Sequence, residues 1–471
     1  MPLRTRQSNL WRNFWRVLVI GGVLLAVTST SAQQASLPGA ATLFEASVLV
    51  PGDGGAPLTD AAFLVQGGLI RSVGRRGQVA VPSGATRVDL AGKTVMPALV
   101  NAHGHPGFQR GLVYGRENYT RDTYLDDLNR AAYFGVRVIL SQGIDPGDVA
   151  FTIRRDQQAG RAGGARLLTA GRGIGAPNAG PGAAAFQGIA YELTTPEQGR
   201  AAVRELAARR VDMVKIWVDD RGGRAPRLPP PIYRAIIDEA HQRGLKANAH
   251  VFYHEDAVDL VAAGIDGFAH LVRDREMDDA LVAAIVRRGV SVMPNLAGTE
   301  RGTYAAVPPW FDEPGLMALM RDTVPRPLID RIRASFAGRD AAAAKAARGR
   351  YAILQRSLAK LNKAGARIIM GPDTGLEDHL FGYAEQRELE EMVEAGMTPA
   401  QAIVAATSRT AEYLGLRDMG RLAPGTHADF LVLSGNPLAD IRQTRRIEAV
   451  YFDGRPIDRA RLRTRLTAVP E

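Results

Sequence analysis

Histidine is scarce in this chain, and four of its eight histidines follow short apolar runs. His103 and His105 end the first run, with Gly104 between them, and His250 and His270 end two later runs. In an extended backbone residues i and i+2 point the same way, so the first two imidazoles can face one ion. Imidazole nitrogen is a common ligand of divalent metals. These positions therefore predict a metal site.

Two further residues fit the same chemistry. Asp373 follows another apolar run, in the sequence Gly-Pro-Asp-Thr, and Lys215 lies inside the run VDMVKIWV. Burying an ammonium group is costly unless it is paired or neutral, so a lysine inside an apolar strand needs a chemical reason. Each residue taken singly also fits a structural role. The joint pattern is what indicates a metal site.

The composition narrows the classes of protein. The chain has 471 residues, of which 46% are hydrophobic, so a disordered or fibrous chain is excluded. It has no cysteine, which excludes disulfides, iron–sulfur centres and thiol nucleophiles. Any metal must therefore be held by His, Asp, Glu or a modified Lys. The net charge of +10 comes from dispersed arginines rather than from a basic motif, so nucleic acid is not an expected partner.

Apolar runs and helical stretches alternate along the middle of the chain. The runs are 95–102, 136–143, 165–172, 211–218, 245–251, 267–272, 290–296 and 366–373, and helical stretches include 196–210, 230–244 and 254–264. Eight buried strands joined by helices are typical of a (β/α)₈ TIM barrel, in which the C-terminal strand ends meet on one face. A doubly wound sheet is the alternative, but it needs a GxGxxG turn after its first strand. Residues 171–175 instead have GxGxG spacing, which we interpret as a mobile loop.

Strand patterns also occur at both ends of the chain. They cover 41–50, 61–74, 86–90, 428–435 and 446–457. We expect an α/β protein whose barrel carries a small β-sandwich domain built from both chain ends. The predicted segments are 33–94 and 416–471 for the β-sandwich and 95–415 for the barrel, preceded by 1–32.

Residues 1–32 have the features of a secretory signal peptide. Residues 1–16 carry four arginines and no acid, residues 17–27 are apolar, and small residues follow up to Ala32. The apolar run of eleven is too short for a stable membrane-spanning helix, which needs about 20 residues. We therefore expect cleavage near Ala32, a secreted or periplasmic protein, and no stable membrane span after cleavage. An uncleaved anchor is the alternative.

The motifs resemble the amidohydrolase superfamily, and within it the imidazolonepropionase-like branch with its prolidase-type members. The matching motifs are PALVNAHGH, VKIWVDD, NAHVFYHEDAVDLVAAGIDGFAH and GPDTG. The resemblance covers about residues 41–457, including the split β-sandwich.

This resemblance implies a centre of two divalent metal ions. His103 and His105 would bind the more buried ion together with Asp373. His250 and His270 would bind the second ion. Nitrogen and oxygen ligands with an open position suit Zn²⁺, with Mn²⁺ and Co²⁺ as alternatives.

Lys215 matches the lysine that is carboxylated by CO₂ in binuclear relatives, where it bridges the two ions. Its apolar neighbours Val214, Ile216 and Trp217 lower a lysine pKa, and only a neutral amine attacks CO₂. The implied reaction is cleavage of the amide C–N bond of an N-acyl amino acid, a dipeptide or a similar small amide by a metal-activated hydroxide. Asp373 would accept the water proton and deliver it to the leaving nitrogen.

Three alternative functions follow from the same residues. A mononuclear cyclic-amide hydrolase or deaminase would use His103, His105, His250 and Asp373 without Lys215. Hydrolysis of aromatic N-acyl amino acids such as ochratoxin is a second. A non-catalytic binding protein is a third, but it would have no need for Asp373.

Loops after the strands supply candidate substrate contacts. These candidates are Tyr253, His254, Arg172, Arg221 and His379, with Arg224, Tyr114, Tyr119 and Tyr124 as further candidates. An arginine or tyrosine among them would suit a substrate carboxylate. Phe252 stands where many relatives have Tyr or His, which argues against a direct transfer of dipeptidase specificity. Residues 297–365 form a long insertion that fits a lid over the active-site mouth, or plain barrel periphery, or a contact in a homo-oligomer.

Overall fold

Strands from both ends of the chain lie in one sheet, and parallel strands joined by helices lie between them. The computed structural model describes residues 39–468, so the predicted signal peptide, residues 1–32, lies outside the described residues. The strands are β1 (Thr42–Leu49), β2 (Leu58–Gln66), β3 (Leu69–Arg75), β4 (Thr86–Pro97), β5 (Leu99–Gly104), β6 (Gln109–Arg110), β7 (Val113–Tyr114), β8 (Val136–Ser141), β9 (Arg166–Thr169), β10 (Ile174–Gly175), β11 (Tyr191–Glu192), β12 (Val214–Trp217), β13 (Ala247–His250), β14 (Gly267–Phe268), β15 (Ser291–Val292), β16 (Arg367–Ile368), β17 (Phe430–Leu433), β18 (Ile447–Phe452) and β19 (Arg455–Pro456).

The helices connect most of the parallel strands. They are α1 (Arg121–Tyr133), α2 (Val149–Gln158), α3 (Pro196–Ala208), α4 (Pro230–Gln242), α5 (His254–Ala263), α6 (Asp279–Arg288), α7 (Leu296–Glu300), α8 (Pro314–Thr323), α9 (Arg326–Ala334), α10 (Ala341–Lys363), α11 (Tyr383–Glu394), α12 (Pro399–Ala406), α13 (Ser408–Tyr413) and α14 (Arg459–Thr467). Short 3₁₀ helices lie at Arg116–Asn118, Ala184–Phe186, Arg301–Thr303, Pro309–Phe311 and Ile441–Arg445. Within residues 39–468, none of the helices combines the length and the apolar composition that crossing a bilayer requires.

The terminal sheet has the strand order β19-β18-β17-β4-β1-β2-β3, so its N-terminal and C-terminal strands are hydrogen-bonded neighbours. Phe44, Phe63 and Phe430 hold the two sets together, with the Phe44 and Phe63 rings 5.0 Å apart and Phe430 edge-on to Phe63 at 5.2 Å. Such aromatic pairs stabilise a sheet by more than the free energy expected from the apolar area that they bury. Both chain ends therefore form one sheet, and the second layer of the predicted β-sandwich stays a prediction.

Two strand boundaries differ from the predicted ones. Residues 61–74 form two strands, because Gly67 and Gly68 adopt positive φ angles of 62° and 78° and turn the chain in a tight hairpin. The run 95–102 is also divided, since Ala98 N donates to Asp429 O in the terminal sheet whereas Leu99 N donates to Gly135 O. The first three residues of that run therefore belong to the terminal sheet.

The remaining apolar runs each contain a parallel strand. The strands form two parallel sheets, with the orders β5-β8-β9 and β11-β10-β12-β13-β14-β15-β16. Main-chain hydrogen bonds link them, from Ala102 N to Met370 O at 3.0 Å and from Asp212 N to Thr169 O at 2.8 Å. Parallel strands need crossover connections, which the helices supply. The mixed α/β fold is confirmed, and closure of the two sheets into one barrel stays a prediction.

The predicted helices at 196–210, 230–244 and 254–264 are present as α3, α4 and α5. Thr195 caps α3 by accepting from Gln198 N, with Pro196 in the first turn. Gly264 ends α5 in the left-handed conformation with φ of 90°. Local capping chemistry therefore sets these boundaries.

Two further segments can be compared with their predictions. The GxGxG segment ends in strand β10, because Ile174 pairs with both β11 and β12, so the interpretation as a mobile loop is wrong at that end. The insertion 297–365 contains the helices α8, α9 and α10, and its Trp310 and Phe311 are buried in the main apolar core. Its role as a lid stays a prediction.

We expect the Gly135→Ala substitution to destabilise the protein, because a Cβ there would overlap Leu431 of the terminal sheet and Gly135 has φ of +76°. The matched control is Gly77→Ala, which has φ of +79° but no atom within 4 Å of the added carbon. In the control, the free energy of unfolding should fall by about 1–2 kcal/mol, because alanine is strained in the left-handed conformation. In Gly135→Ala, the free energy of unfolding should fall by about 1–3 kcal/mol more than in the control, because the added carbon overpacks the contact with Leu431. Equal shifts of the denaturation midpoint in the two variants would show that this packing does not matter.

Candidate metal centre

The end of β5 and the turn after β16 bring two histidines against one aspartate. His103 Nε2 lies 3.1 Å from Asp373 Oδ1, and His105 Nε2 lies 2.7 Å from the same oxygen. His103 and His105 are buried, with relative exposures of 1% and 5%. The predicted pairing of two imidazoles around one glycine is therefore present, and the two rings converge with the carboxylate on one point.

The backbone around Asp373 is shaped for this approach. His105 N donates to Thr374 O at 2.7 Å, and Thr374 N donates to His103 O at 3.2 Å. Asp373 itself has φ of 61°, a left-handed conformation that Asp tolerates better than most residues. A side chain at Gly371 would bring a Cβ within 2.9 Å of His103 Cβ. In the sequence Gly-Pro-Asp-Thr, the aspartate thus suits the left-handed turn, and the glycine allows the close approach to His103.

A buried network behind β5 fixes its position relative to this turn. Asn101 Oδ1 accepts from His103 N at 2.7 Å, and Asn101 Nδ2 donates to Glu385 Oε1 at 2.6 Å. Thr374 Oγ1 donates to the same Glu385 oxygen at 3.1 Å. Burial raises the pKa of Glu385, and these donors stabilise its charged form. The network connects Asn101, two residues before His103, to Thr374, the residue directly after Asp373.

A second pair of histidines lies beside the first. The His250 and His270 ring centroids are 4.4 Å apart, and His270 is 5.2 Å from His103. His250 Nε2 is 2.6 Å from Asp219 Oδ2, so it donates to that carboxylate and its Nδ1 remains for an ion. Asn295 Nδ2 lies 2.8 Å from His270 Nδ1 and thereby orients that ring.

Lys215 lies inside β12 with a relative exposure of 1%. Within residues 39–468 its Nζ has no hydrogen-bond partner, and it lies 5.7 Å from the centre of the Trp217 ring. Burial lowers the pKa of Lys215 to about 7. Gly143 leaves room for the side chain, since a Cβ there would be 2.9 Å from Lys215 Cγ. The amine is therefore partly neutral near pH 7.

The charge states in the cluster are those of metal ligands. Burial lowers the pKa of His103, His250 and His270, which favours the neutral rings that offer a lone pair. Burial alone would raise the pKa of Asp373, but the adjacent His103 and His105 hold it well below its usual range. The cluster thus combines neutral nitrogen donors with an ionised carboxylate.

These donors fit a divalent metal ion. Ligand atoms of His103, His270 and Asp373 lie within 4.8 Å of one another. Asp373 Oδ1 and Lys215 Nζ are both buried without a hydrogen-bond partner in the described part of the chain. Buried polar atoms normally find partners, so such a concentration indicates a site built for a ligand. Imidazole nitrogen and carboxylate oxygen suit Zn²⁺ and related ions.

A second group of possible ligands is occupied by an arginine. Ligand atoms of His427, Asp429 and Asp453 also lie within 4.8 Å of one another in the terminal sheet. Arg137, however, lies between the two carboxylates, with Nε 3.1 Å from Asp429 Oδ2 and Nη2 2.9 Å from Asp453 Oδ2. This guanidinium, together with His427, whose pKa is raised by its hydrogen bond to Asp453, offsets the two carboxylates, so the group works as a structural ion-pair network.

The candidate substrate contacts have partners of their own. Tyr253 donates its hydroxyl to Asp220 Oδ1 at 2.8 Å, and His254 Nε2 lies 3.3 Å from Asp278 Oδ2. Arg172 Nε donates to Ile189 O at 2.6 Å. These bonds commit all three side chains to local structure, and their substrate roles stay predictions.

The other two candidates lie nearer to site residues. His379 is buried, and its Nε2 is 2.8 Å from Pro372 O, directly before Asp373. Burial lowers the pKa of His379 to about 4. The backbone N of Arg221 donates to Asp219 Oδ1 at 2.7 Å. Their roles toward a substrate also stay predictions.

Sequence reasoning missed the residues that orient the ligands. Asp219 follows β12 and lies within the motif VKIWVDD. An acidic residue just after a strand end was the feature of the sequence that could have indicated its role. Asn295 follows β15, whose apolar run contains no titratable residue that would have marked it as part of a site. Its backbone has a positive φ of 50°.

Comparisons with known proteins cover most of the chain. The model of the Amidohydrolase family matches residues 94–457. An uncharacterized protein of Mycobacterium bovis is 28% identical over 254 residues, which are 53% of this chain and 58% of the relative. The chain thus spans 58% of the length of that curated relative.

Two longer matches are also found. The imidazolonepropionase of Deinococcus radiodurans is 25% identical over 420 residues, which are 84% of this chain and 92% of the relative. The crystal structure of a Xaa-Pro dipeptidase with bound methionine has a TM-score of 0.71 and 21% identity, and covers 89% of this chain and 100% of its own. At that identity the second match shows a shared fold.

We expect Asp219→Asn to weaken the binding of one Zn²⁺ ion by about 10- to 100-fold, since the amide no longer fixes the orientation and tautomer of His250. Competition with a coloured chelator would measure this affinity. The matched control is Asp220→Asn, because the adjacent Asp220 bonds Tyr253 instead of a histidine. If both variants bind zinc equally well, Asp219 does not position His250.

Proposed function

Because the chain belongs to the amidohydrolase family, we propose that it is a two-metal hydrolase that cleaves the amide C–N bond of a small N-acyl amino acid or dipeptide. The predicted resemblance to this superfamily is confirmed, as is the enzyme class of a hydrolase acting on C–N bonds. The observation that carries the proposal is the convergence of histidines from three strand ends near Asp373, beside a buried Lys215 whose Nζ has no hydrogen-bond partner within residues 39–468 and whose charge acts on His103 and His250. We also infer that the two parallel sheets make up a single (β/α)₈ barrel across residues 95–415.

Two sets of residues would hold the metal ions. His103, His105 and Asp373 would hold the more buried ion, and His250 and His270 the second. When bound, the metals supply Lewis acidity toward the scissile carbonyl and lower the pKa of a water molecule. Zn²⁺ is the ion proposed, because nitrogen donors outnumber oxygen donors in this set.

Lys215 would connect the two halves of the centre as a carbamate. Its burial without a partner and the space left by Gly143 support this modification. The neutral amine bonds to the carbon of CO₂ and loses one proton, giving an anion with two oxygens. That anion would offset the cost of burying two cations among mostly neutral ligands.

Asp373 would move the proton during the reaction. Its Oδ1 faces the two histidines, whereas within residues 39–468 its Oδ2 accepts one hydrogen bond, from Asn295 Nδ2 at 3.3 Å. Oδ2 is therefore the atom proposed to accept the proton of the attacking water and deliver it to the leaving nitrogen. Asn295 would hold that carboxylate in orientation.

A one-metal cyclic-amide hydrolase or deaminase is the second candidate function. The alignment with an imidazolonepropionase over 84% of this chain favours it. Such an enzyme would use His103, His105, His250 and Asp373 and would leave Lys215 without a chemical role. The complete second set of donors, with His250 and His270 4.4 Å apart, supports the two-metal proposal instead.

The remaining parts of the proposal concern location and substrate. The arginine-rich and apolar start of the chain supports export to the periplasm or medium after cleavage near Ala32. Aromatic residues beside His105, with the Phe186 ring at 5.5 Å and Phe108 next to it, would favour an apolar acyl group. An aromatic N-acyl amino acid of the ochratoxin kind would satisfy the same contacts.

Lys215→Ala should reduce the zinc content from two ions per chain to one or fewer, and activity by about 100-fold or more, because the bridging ligand is lost. Zinc-loaded protein equilibrated with ¹³C-bicarbonate should show a carbamate resonance that disappears in this variant. Lys246→Ala is the matched control, since Lys246 is also partly buried but donates to Tyr413 O. A full zinc content and activity in Lys215→Ala would favour the one-metal alternative.

Asp373→Asn should lower kcat by about 10²- to 10⁴-fold, the range expected for the loss of a general acid–base group. Elemental analysis should still find bound zinc, because the amide oxygen can replace the carboxylate oxygen as a ligand. Unchanged turnover in a zinc-loaded Asp373→Asn variant would refute the proton-transfer role.

A further inference from the structure

We propose that Arg273 binds a carboxylate of the substrate, so that the enzyme selects amides whose leaving group is an amino acid with a free carboxylate. This inference rests on the proposed hydrolase function and adds the residue that would recognise the carboxylate of the leaving group. It assigns the arginine to substrate recognition, apart from the metal ligands.

The position of Arg273 is set by the loops that carry the second pair of histidines. Arg273 comes three residues after His270, and its backbone N donates to Phe252 O at 2.8 Å. Phe252 in turn lies two residues after His250, and its ring is 6.0 Å from the Arg273 guanidinium carbon. The loops after β13 and β14 are thus tied together, and they place the guanidinium on the His250 and His270 side of the centre.

The guanidinium of Arg273 has no hydrogen-bonding or ion-pair partner in the described part of the chain. Within residues 39–468 it makes no hydrogen bond, and no carboxylate oxygen lies within 4.0 Å of it. Other arginines in the interior are paired, such as Arg387 with Glu300 at 3.0 Å. Arg275, two residues further on, pairs with Asp274 at 3.3 Å. Arg273 is half-buried and none of its guanidinium nitrogens is closed off from solvent, so its donors are open to a ligand that enters the site.

The electrostatic surroundings leave this positive charge uncompensated. Asp219 and Asp373 are the carboxylates that act on Arg273, and they raise its pKa, whereas burial lowers it by more. Both carboxylates face histidines instead of the guanidinium, since Asp219 bonds His250 and Asp373 lies against His103 and His105. An anionic group of the substrate would therefore supply the missing negative charge.

A carboxylate is the anion that fits both the residue and the reaction. The planar fork of a guanidinium matches the two oxygens of a carboxylate in a bidentate pair. A free carboxylate is present on the leaving group of every N-acyl amino acid or dipeptide. The aromatic residues Phe108 and Phe186 lie on the His105 side, so the apolar acyl group would occupy that side and the carboxylate the Arg273 side.

The test compares each substrate with its carboxamide. Zinc-loaded wild type, Arg273→Met and Arg273→Lys would be assayed on N-acetyl-L-phenylalanine and Phe-Phe, each beside the analogue whose terminal carboxylate is a primary amide. Arg275→Met is the matched control, because Arg275 is exposed and pairs outside the site. The measured quantity is the ratio of kcat/KM for the acid to kcat/KM for the amide.

We expect the wild type to prefer the acids and Arg273→Met to lose that preference by about 10- to 100-fold, the range of a charged hydrogen-bonded contact. Arg273→Lys should keep part of the preference, and Arg275→Met all of it. A wild type without preference, or a preference that survives in Arg273→Met, would overturn the inference. A merely structural arginine would lower activity on acid and amide alike, which would also overturn it.

A binding measurement separates this inference from the proposed function. Phe-Phe with its amide carbonyl reduced to methylene cannot be hydrolysed, and calorimetry would compare its acid and carboxamide forms on the same zinc-loaded variants. If no amide is turned over but the acid binds about 10-fold more tightly than the carboxamide in an Arg273-dependent way, the function fails and the inference holds. If amides are hydrolysed but the two forms bind equally, the inference fails and the function holds.

Discussion

The burial of polar ligands at the ends of the parallel strands is the constraint on which this structure depends. His103, His105, His270 and Lys215 are almost completely removed from water, and several of their polar atoms have no partner in the described part of the chain. An unsatisfied buried polar group costs about 1–3 kcal/mol. The same burial lowers the pKa values of the imidazoles and the amine, and so prepares them as neutral donors. The cost in stability and the readiness to bind a cation have one physical origin.

Hydrogen bonds and packing in the surrounding fold keep these donors in position, although their burial without partners is unfavourable. Hydrogen bonds that Asn101 and Thr374 donate to the Glu385 carboxylate connect the first and last parallel strands behind the metal cluster. The terminal sheet supports the start of the first parallel strand, because the chain passes from one sheet to the other between Ala98 and Leu99. Residues behind the metal cluster and in the terminal sheet therefore fix the distances between the ligand atoms.

The sequence was most informative where one residue type has few structural uses. Histidines at strand ends and a lysine inside an apolar strand predicted the cluster, because burial of such groups without a function is costly. Asp219, Asn295 and Arg273 were missed, since their roles depend on which loops meet in space and their residue types are common in loops. The division of the run 95–102 was missed for a similar reason. Its apolar pattern continues unbroken while the hydrogen-bonding partner changes from β17 to the strand after Gly135.

The central claim is that one buried cluster holds two ions joined by a carboxylated Lys215. A crystal structure of the zinc-loaded protein, with anomalous data collected on both sides of the zinc absorption edge, tests it most directly. The account predicts two anomalous peaks, one at His103, His105 and Asp373 and one at His250 and His270, with density for a carbamate on Lys215 between them. A single peak beside an unmodified Lys215, or zinc bound away from these residues, would contradict it.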